Sequence, residues 1–271
     1  MVDLHLHTTA SDGRLTPGEL VAAAAAAGLT VMAVTDHDTI AACAEVRDAA
    51  QRRGIDTITG IEITAVDNNR DVHMLGYFLD IADRELAVFL GRQRTIRRAR
   101  LEQIGERLAE LAMPVDAARI ATAAAGRSIG RPQIADAMVA AGYVADRREA
   151  FDRWLGSDRP AFVPRTGAAP EQVIATVHRA GGVIALAHPG RTKLPEPRVE
   201  SLAAAGLDAL EVYHPDHDET LIAHYASLAD RLGLLRTGGS DFHGDPSHGV
   251  TIGCSTLPAE YWTRLHAVAA H

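Results

Sequence analysis

The first quarter of the chain alternates short β-branched or apolar runs with alanine-rich helical stretches, the pattern of βαβ units that build a parallel sheet. Val2 to His7 reads as a strand. Thr16-Pro17-Gly18-Glu19 then supplies an N-cap, a first-turn proline and a capping-box acid ahead of a Leu20 to Ala27 helix that Gly28 stops. Leu29 to Thr35 is the next strand, Ile40 to Arg53 a helix closed by Gly54, and Ile55 to Thr64 and Val72 to Phe78 are further strands. From about Asp83 to Arg159 helical signals dominate, so we read this stretch as a helical insertion. Alternation resumes with helices at Glu171 to Ala180 and Val199 to Ala205, and strands at Val183 to Ala187, Ala209 to Tyr213 and Leu234 to Gly238. At 271 residues and 47% hydrophobic, the chain can fill one sizeable α/β core.

Several classes are excluded. Met1 runs straight into Val2-Asp3-Leu4-His5-Leu6-His7 without a basic region and apolar stretch, and no later run is long enough to span a bilayer, so we expect a soluble cytoplasmic protein with no membrane partner. Cys43 and Cys254 lie far apart without metal-type spacing, which leaves them as two buried small apolar residues rather than a disulfide or thiolate zinc site. A net charge of −8 argues against coating duplex DNA but leaves room for a small phosphorylated substrate in a local positive site.

Histidines and acids fall at or just beyond the C-terminal ends of the expected strands, where catalytic groups converge in a closed parallel α/β sheet. His5 and His7 are two apart on a strand, so both leave the same face and can grip one ion. Asp3 shares that face and can orient a histidine from behind. Thr35-Asp36-His37-Asp38 follows the second strand, Glu62 lies in Gly60-Ile61-Glu62-Ile63, and His73 lies in the fourth strand. His188 in Ala187-His188-Pro189-Gly190 and Asp241 and His243 in Ser240-Asp241-Phe242-His243 complete the series.

The ordered set His5-x-His7, Ser11-Asp12-Gly13, Thr35-Asp36-His37-Asp38, Gly60-Ile61-Glu62, His73, His188-Pro189 and Ser240-Asp241-x-His243 resembles the PHP (polymerase and histidinol phosphatase) family. That resemblance implies a distorted seven-stranded (β/α) barrel, with residues 1–82 and 166–271 as its two parts and 83–165 as a helical insertion capping the substrate. It also implies up to three divalent ions. His5, His7, Glu62 and Asp241 would surround the first, Glu62, His73 and His188 the second, and Asp12, His37 and His243 the third. Mixed imidazole and carboxylate ligands suit Mn, Fe or Zn. Three such ions against the carboxylates Asp12, Glu62 and Asp241 leave a positive surplus that attracts an anionic phosphate. A metal-bound hydroxide would be the nucleophile. Asp36 and Asp38 either orient ligands from behind or are turn and helix-cap residues.

A helical insertion after His73, with Gly130-Arg131-Pro132 and Arg159-Pro160-Ala161-Phe162-Val163-Pro164, resembles the subgroup of nucleoside 3′,5′-bisphosphate phosphatases and 5′→3′ oligoribonucleotide exonucleases. The resemblance implies hydrolysis of phosphate monoesters of nucleotides, a bisphosphate or AMP, and 5′→3′ degradation of short single-stranded RNA. Arg131, before a proline at a helix start, is the first candidate to hold a nonreacting phosphate, the alternative being a surface salt bridge. Arg165 and Arg191 are further substrate-binding candidates. His217 either faces the substrate or sits in an ordinary exposed loop. The run Arg92, Arg94, Arg97, Arg98, Arg100 reads as a solvated helix face paired with Glu102 and Glu106 rather than an RNA track. The competing readings are a histidinol-phosphate phosphatase and a noncatalytic PHP domain that stabilises a partner.

Overall fold

The computed structural model describes residues 1–123, 127–246 and 249–269. Seven strands, β1 (Val2–Leu6), β2 (Val31–Val34), β3 (Asp56–Asp67), β4 (Arg70–Tyr77), β5 (Val183–Leu186), β6 (Ala209–Tyr213) and β7 (Leu235–Gly238), pair in sequence order. Just past β7 the chain returns to β1. Leu6 bridges in parallel to Phe242, and the His7 N–H donates to the Phe242 carbonyl at 3.0 Å. The result is a nearly closed seven-stranded barrel clad in helices.

Local chemistry explains the first helix. In α1 (Pro17–Ala26) the Thr16 hydroxyl accepts from the Glu19 N–H, and the Glu19 carboxylate accepts from the Thr16 N–H at 2.8 Å. The second helix, α2 (Cys43–Gln51), starts later than its periodicity suggests, because Asp38 lies at φ 49° and residues 39 to 42 form a turn, with Thr39 Oγ1 accepting from Ala41 N–H.

One strand departs from the all-parallel expectation. β4 runs antiparallel to both β3 and β5. Asn68 and Asn69 join β3 to β4 with φ of 48° and 63°, the left-handed pair that a tight hairpin needs and asparagine tolerates. Reversal places the beginning of β4 at the end of the barrel where the parallel strands finish. His73, opposite Thr64 in the register, thereby reaches the same mouth as His7 and His37.

Between β4 and β5 lie α3 (Arg84–Glu110), α4 (Ala117–Ala123), α5 (Arg131–Ala140), α6 (Arg147–Ala150) and a π-helical turn, Phe151–Leu155. They enclose an apolar cluster of their own, including Leu101, Ile104, Leu108, Ile134, Met138 and Leu155. Leu86 and Leu90 at the start of α3 join the barrel core instead, so one long helix spans both clusters. The remaining helices are α7 (Pro170–Arg179), α8 (Pro189–Thr192), α9 (Glu196–Ala204), α10 (Glu219–Leu232) and α11 (Ala259–Ala269). Cys254 is exposed rather than buried, and Cys43 is partly buried with its thiol 3.6 Å from the Gly60 carbonyl; both are free. Among the described residues no helix is long and apolar enough to cross a membrane.

The barrel seam demands glycine at 239. A Cβ there would lie 2.4 Å from the His5 backbone nitrogen, 2.5 Å from the His5 Cβ and 2.8 Å from Asp3 Oδ1, which is itself held by the seam. Gly239→Ala is expected to cost about 1–3 kcal/mol, as overpacking of a fitted core does. The measurement is the urea midpoint, and a wild-type value would show that the seam opens at no cost.

Candidate metal centre

Glu62 stands in β3 at the barrel mouth, 1% exposed, with imidazoles on both carboxylate oxygens. Oε2 lies 3.3 Å from His5 Nε2, 3.3 Å from His7 Nε2 and 3.2 Å from His37 Nδ1. Oε1 lies 2.7 Å from His73 Nδ1 and 3.1 Å from His188 Nε2. Asp241 closes the first group, its Oδ1 at 3.2 Å from His5 Nε2 and 3.3 Å from His7 Nε2. Asp12 gathers the last, with His243 Nε2 at 3.3 Å and His37 Nε2 at 3.6 Å.

All nine residues that the family resemblance names as ligands therefore meet at one mouth. Donor atoms of His5, His7, Glu62 and Asp241 lie within 4.8 Å of one another, as do those of His7, Asp12, His37 and His243 and those of His37, Glu62 and His73. The last set contains His37 where the resemblance places His188. His188 still contacts Glu62, but its ring approaches from the β5 side.

Divalent cations fit this donor set. Two ligands each about 2.1 Å from one tetrahedral ion stand roughly 3.4 Å apart, which is the spacing seen among His5, His7, Glu62 and Asp241. Both ring nitrogens of His7, Nδ1 of His37 and Nδ1 of His188 are buried without a hydrogen-bond partner, a costly arrangement unless something else meets their lone pairs. Tautomers agree at two positions. His5 Nδ1 donates to Glu211 at 2.9 Å and His243 Nδ1 to the Asp241 carbonyl at 2.8 Å, which turns each Nε2 lone pair toward a carboxylate.

The charges tell the same story. Burial opposes ionisation of Glu62, Asp12 and Asp241, yet the surrounding histidines hold all three carboxyls well below the usual range. Burial likewise disfavours a charge on His5 and His7. Glu211, Asp241 and Glu62 outweigh it at His5, and Asp241 and Glu62 at His7, so that His5 is pushed well up and His7 to about 10. At His37 and His188 burial wins and the pKa falls. Three ionised carboxylates draw protons onto His5 and His7 and leave His37 and His188 neutral, a buried centre in which divalent cations would take the place of those protons.

Supporting residues lie one layer back. Asp36 accepts from the Thr8 N–H at 2.8 Å, the Thr8 hydroxyl at 2.6 Å and the Ser11 hydroxyl at 2.6 Å, so it shapes the loop that carries Asp12. Asp38 accepts from the Thr64 N–H at 3.2 Å and pairs with Arg97. Neither caps a helix. Among the described residues Asp3 bonds to no imidazole, contrary to expectation; it accepts from the backbone N–H groups of His5, Ser240 and Gly253 and so secures the seam. The carboxylate behind His5 is Glu211, which sequence reasoning missed, as it missed His214, whose Nε2 lies 3.4 Å from Asp241 Oδ2. A charged residue inside the apolar run Ala209–Tyr213 was the available signal for Glu211.

A cavity of about 680 Å³ opens over the cluster, and Arg131, Arg165, Arg191 and Arg97 line it. Arg165 Nε, Arg100 Nη1 and Arg131 Nη2 converge on Asp71 at 3.4, 3.7 and 3.7 Å. Buried nitrogens remain without hydrogen bonds at Arg100 Nη2 and Arg165 Nε. Burial and neighbouring arginines depress Arg165 to about 9, and burial with Arg131 depresses Arg100 to about 10. Arg131 and Arg100 also stack on Phe162 at 5.8 and 5.7 Å.

Two expectations are corrected here. The arginine run on α3 is not wholly a solvated face: Arg97 and Arg100 are buried, Arg97 at the cavity wall, and they bond to Asp38, Thr64 and the Val163 carbonyl rather than to Glu102 and Glu106, while Arg92 and Arg98 stay exposed. Their spacing puts them on the helix side that also presents Gln93 and Ile104 inward. His217 neither faces the cavity nor sits in an exposed loop. It is buried, its Nδ1 donating to the Val212 carbonyl at 2.9 Å and its Nε2 accepting from the Gly190 N–H at 3.1 Å, which fixes the turn after His188. Arg191 pairs with Asp241 at 2.9 Å and Asp216 at 2.7 Å, half exposed at the cavity wall.

A family model described as the PHP domain matches residues 3–156. The 3′,5′-nucleoside bisphosphate phosphatase of Chromobacterium violaceum is 34% identical over 93% of this chain and 90% of its own. The 5′-3′ exoribonuclease Rnm of Escherichia coli is 35% identical over 89% of this chain and 84% of its own. Among solved structures, a Bifidobacterium adolescentis protein proposed to be a metal-dependent phosphoesterase matches with a TM-score of 0.89 at 34% identity, over 97% of this chain and 94% of that one.

A ligand that binds only the folded state raises its stability. Adding Mn²⁺ to chelator-stripped protein is therefore expected to raise the melting temperature in proportion to the logarithm of its concentration. An unchanged melt up to millimolar Mn²⁺ would count against the fit.

Proposed function

The chain belongs to the PHP domain family, and from that premise we propose that it is a metal-dependent phosphoesterase acting on nucleotides that carry a second phosphate, such as a nucleoside 3′,5′-bisphosphate. The observation that carries this reading is the juxtaposition, in one cavity, of the imidazole and carboxylate cluster and the arginine group around Asp71. Asp71 and His73 are alternate residues of β4, so the two sites stand roughly 7 Å apart along the strand, a separation of the order that one ribose imposes on its phosphates.

When bound, divalent cations supply Lewis acidity toward the phosphoryl group and toward the attacking water. The chain's own residues do the rest. Glu62, Asp241 and Asp12 offer the charge that retains the cations, and His5, His7, His37, His73, His188 and His243 complete their surroundings. Arg131, Arg100 and Arg165 receive the nonreacting phosphate; three guanidinium groups face one carboxylate, so a dianion balances what Asp71 leaves uncompensated. The rings of Phe151 and Phe162, 5.6 and 5.8 Å from the Arg131 guanidinium, help hold it in place. Arg191 holds Asp241 Oδ2, which leaves Oδ1 toward His5 and His7.

A second reading shares the same site. Arg148, 82% exposed, and Phe151 line the outer cavity, which favours a strand of short RNA entering by its 5′ end, as the name of the Escherichia coli relative describes.

Phosphate release from adenosine 3′,5′-bisphosphate, AMP, histidinol phosphate and a 5′-phosphorylated RNA oligomer, with Mn-loaded and chelated protein side by side, tests both. Metal-dependent turnover of the bisphosphate or the RNA is expected; turnover of histidinol phosphate alone would overturn the nucleotide reading. His5→Ala and Asp241→Asn should each lower turnover by several orders of magnitude while circular dichroism stays native. Arg131→Ala should raise KM for the bisphosphate about 10–100-fold, the worth of a charge-assisted hydrogen bond, and affect AMP less. An equal loss on both substrates would remove Arg131 from the second phosphate.

A further inference from the structure

Glu211 lies in the middle of β6, 0% exposed, among apolar neighbours. Both of its oxygens face nitrogen donors, the arrangement of a carboxylate rather than of the protonated acid. Among the described residues it belongs to none of the donor groups that can hold an ion. Its two oxygens are spent separately. Oε1 accepts from His5 Nδ1 at 2.9 Å, and Oε2 accepts from the backbone N–H of His188 at 2.7 Å.

The two contacts constrain different imidazoles, His5 on the Oε2 side of Glu62 and His188 on its Oε1 side, where His73 also stands. The first puts the proton of His5 on Nδ1 and leaves the Nε2 lone pair facing Glu62 and Asp241. The second anchors His188, whose φ of 25° and ψ of 63° would relax in a free chain, and so sets where its Nε2 meets Glu62 Oε1. Gln offers an acceptor at one end of its amide and a donor at the other, and both partners here are donors.

We propose that Glu211 is a positioning residue that couples two cation sites, fixing the tautomer of His5 at one and the backbone of His188 at the other. This rests on the cation-dependent reading given above. Asp12, His37 and His243 have no hydrogen bond to Glu211 among the described residues, so the site they serve is the one expected to keep its affinity.

The test is a Mn²⁺ titration of the chelator-stripped full chain, followed by the electron paramagnetic resonance signal of free Mn²⁺. In Glu211→Gln two classes of site should weaken about 10–100-fold, as loss of a carboxylate behind a ligating histidine does, while one class keeps its wild-type affinity. Glu211→Asp keeps the charge but is one methylene short and reaches only one donor; it should weaken a single class, and it carries the test if the glutamine variant does not fold. An isotherm identical to wild type, or an equal weakening of every class with native circular dichroism, overturns the proposal. Wild-type protein that binds no Mn²⁺ would overturn the cation reading itself, and the proposal with it.

Discussion

The structure is organised around a desolvated carboxylate. Glu62 is removed from water at the barrel mouth, and a buried anion persists only with compensating charge or hydrogen bonds. Five imidazoles crowd its two oxygens, drawn from β1 and its end, from the loops after β2 and β5, and from β4 itself. No helix or hairpin could collect donors from so many segments. A closed sheet can, because its strand ends form a ring, and the antiparallel insertion of β4 adds His73 to a ring that would otherwise lack it.

Holding that ring together takes backbone conformations that residues with a Cβ seldom adopt. Asp38, His188 and Asp241 lie at φ 49°, 25° and 51°, and each is fastened by other groups. Asp38 is gripped by Thr64 and Arg97, His188 by Glu211, and Asp241 by Arg191 and His214. Arg97 has a second consequence. Standing on α3, it ties the helical segment to Asp38 and Thr64, so the wall that carries the arginines is registered against the cluster it serves.

Legibility differed by the kind of signal. His5-x-His7 and Ser240-Asp241-x-His243 could be read because strand periodicity puts alternate residues on one face and because titratable residues at strand ends are conspicuous. The helical segment was legible from its lost β-branched runs, and α1 from its capping box. Asp71 and Glu211 were not. A carboxylate in a strand has no periodic partner in sequence, and its role depends on arginines or a histidine that are distant along the chain: Asp71 meets Arg165, and Glu211 meets His5. Arg97 and Arg100 were misjudged for a related reason, since helical spacing reveals which residues share a face but not whether that face is wet.

By itself, then, the sequence determined the alternating α/β character, the helical interruption and the residue types able to hold divalent cations, because these follow from local propensity, periodicity and the donor chemistry of side chains. Tertiary structure alone decided three things. It turned β4 around, through the left-handed Asn68–Asn69 turn. It chose Glu211 over Asp3 as the carboxylate behind His5, and it turned Arg97 and Arg100 inward toward Asp38 and Asp71. The physical reason is common to all three. Burial and charge compensation are properties of the closed barrel, and no segment carries them until the seam between β1 and β7 has formed.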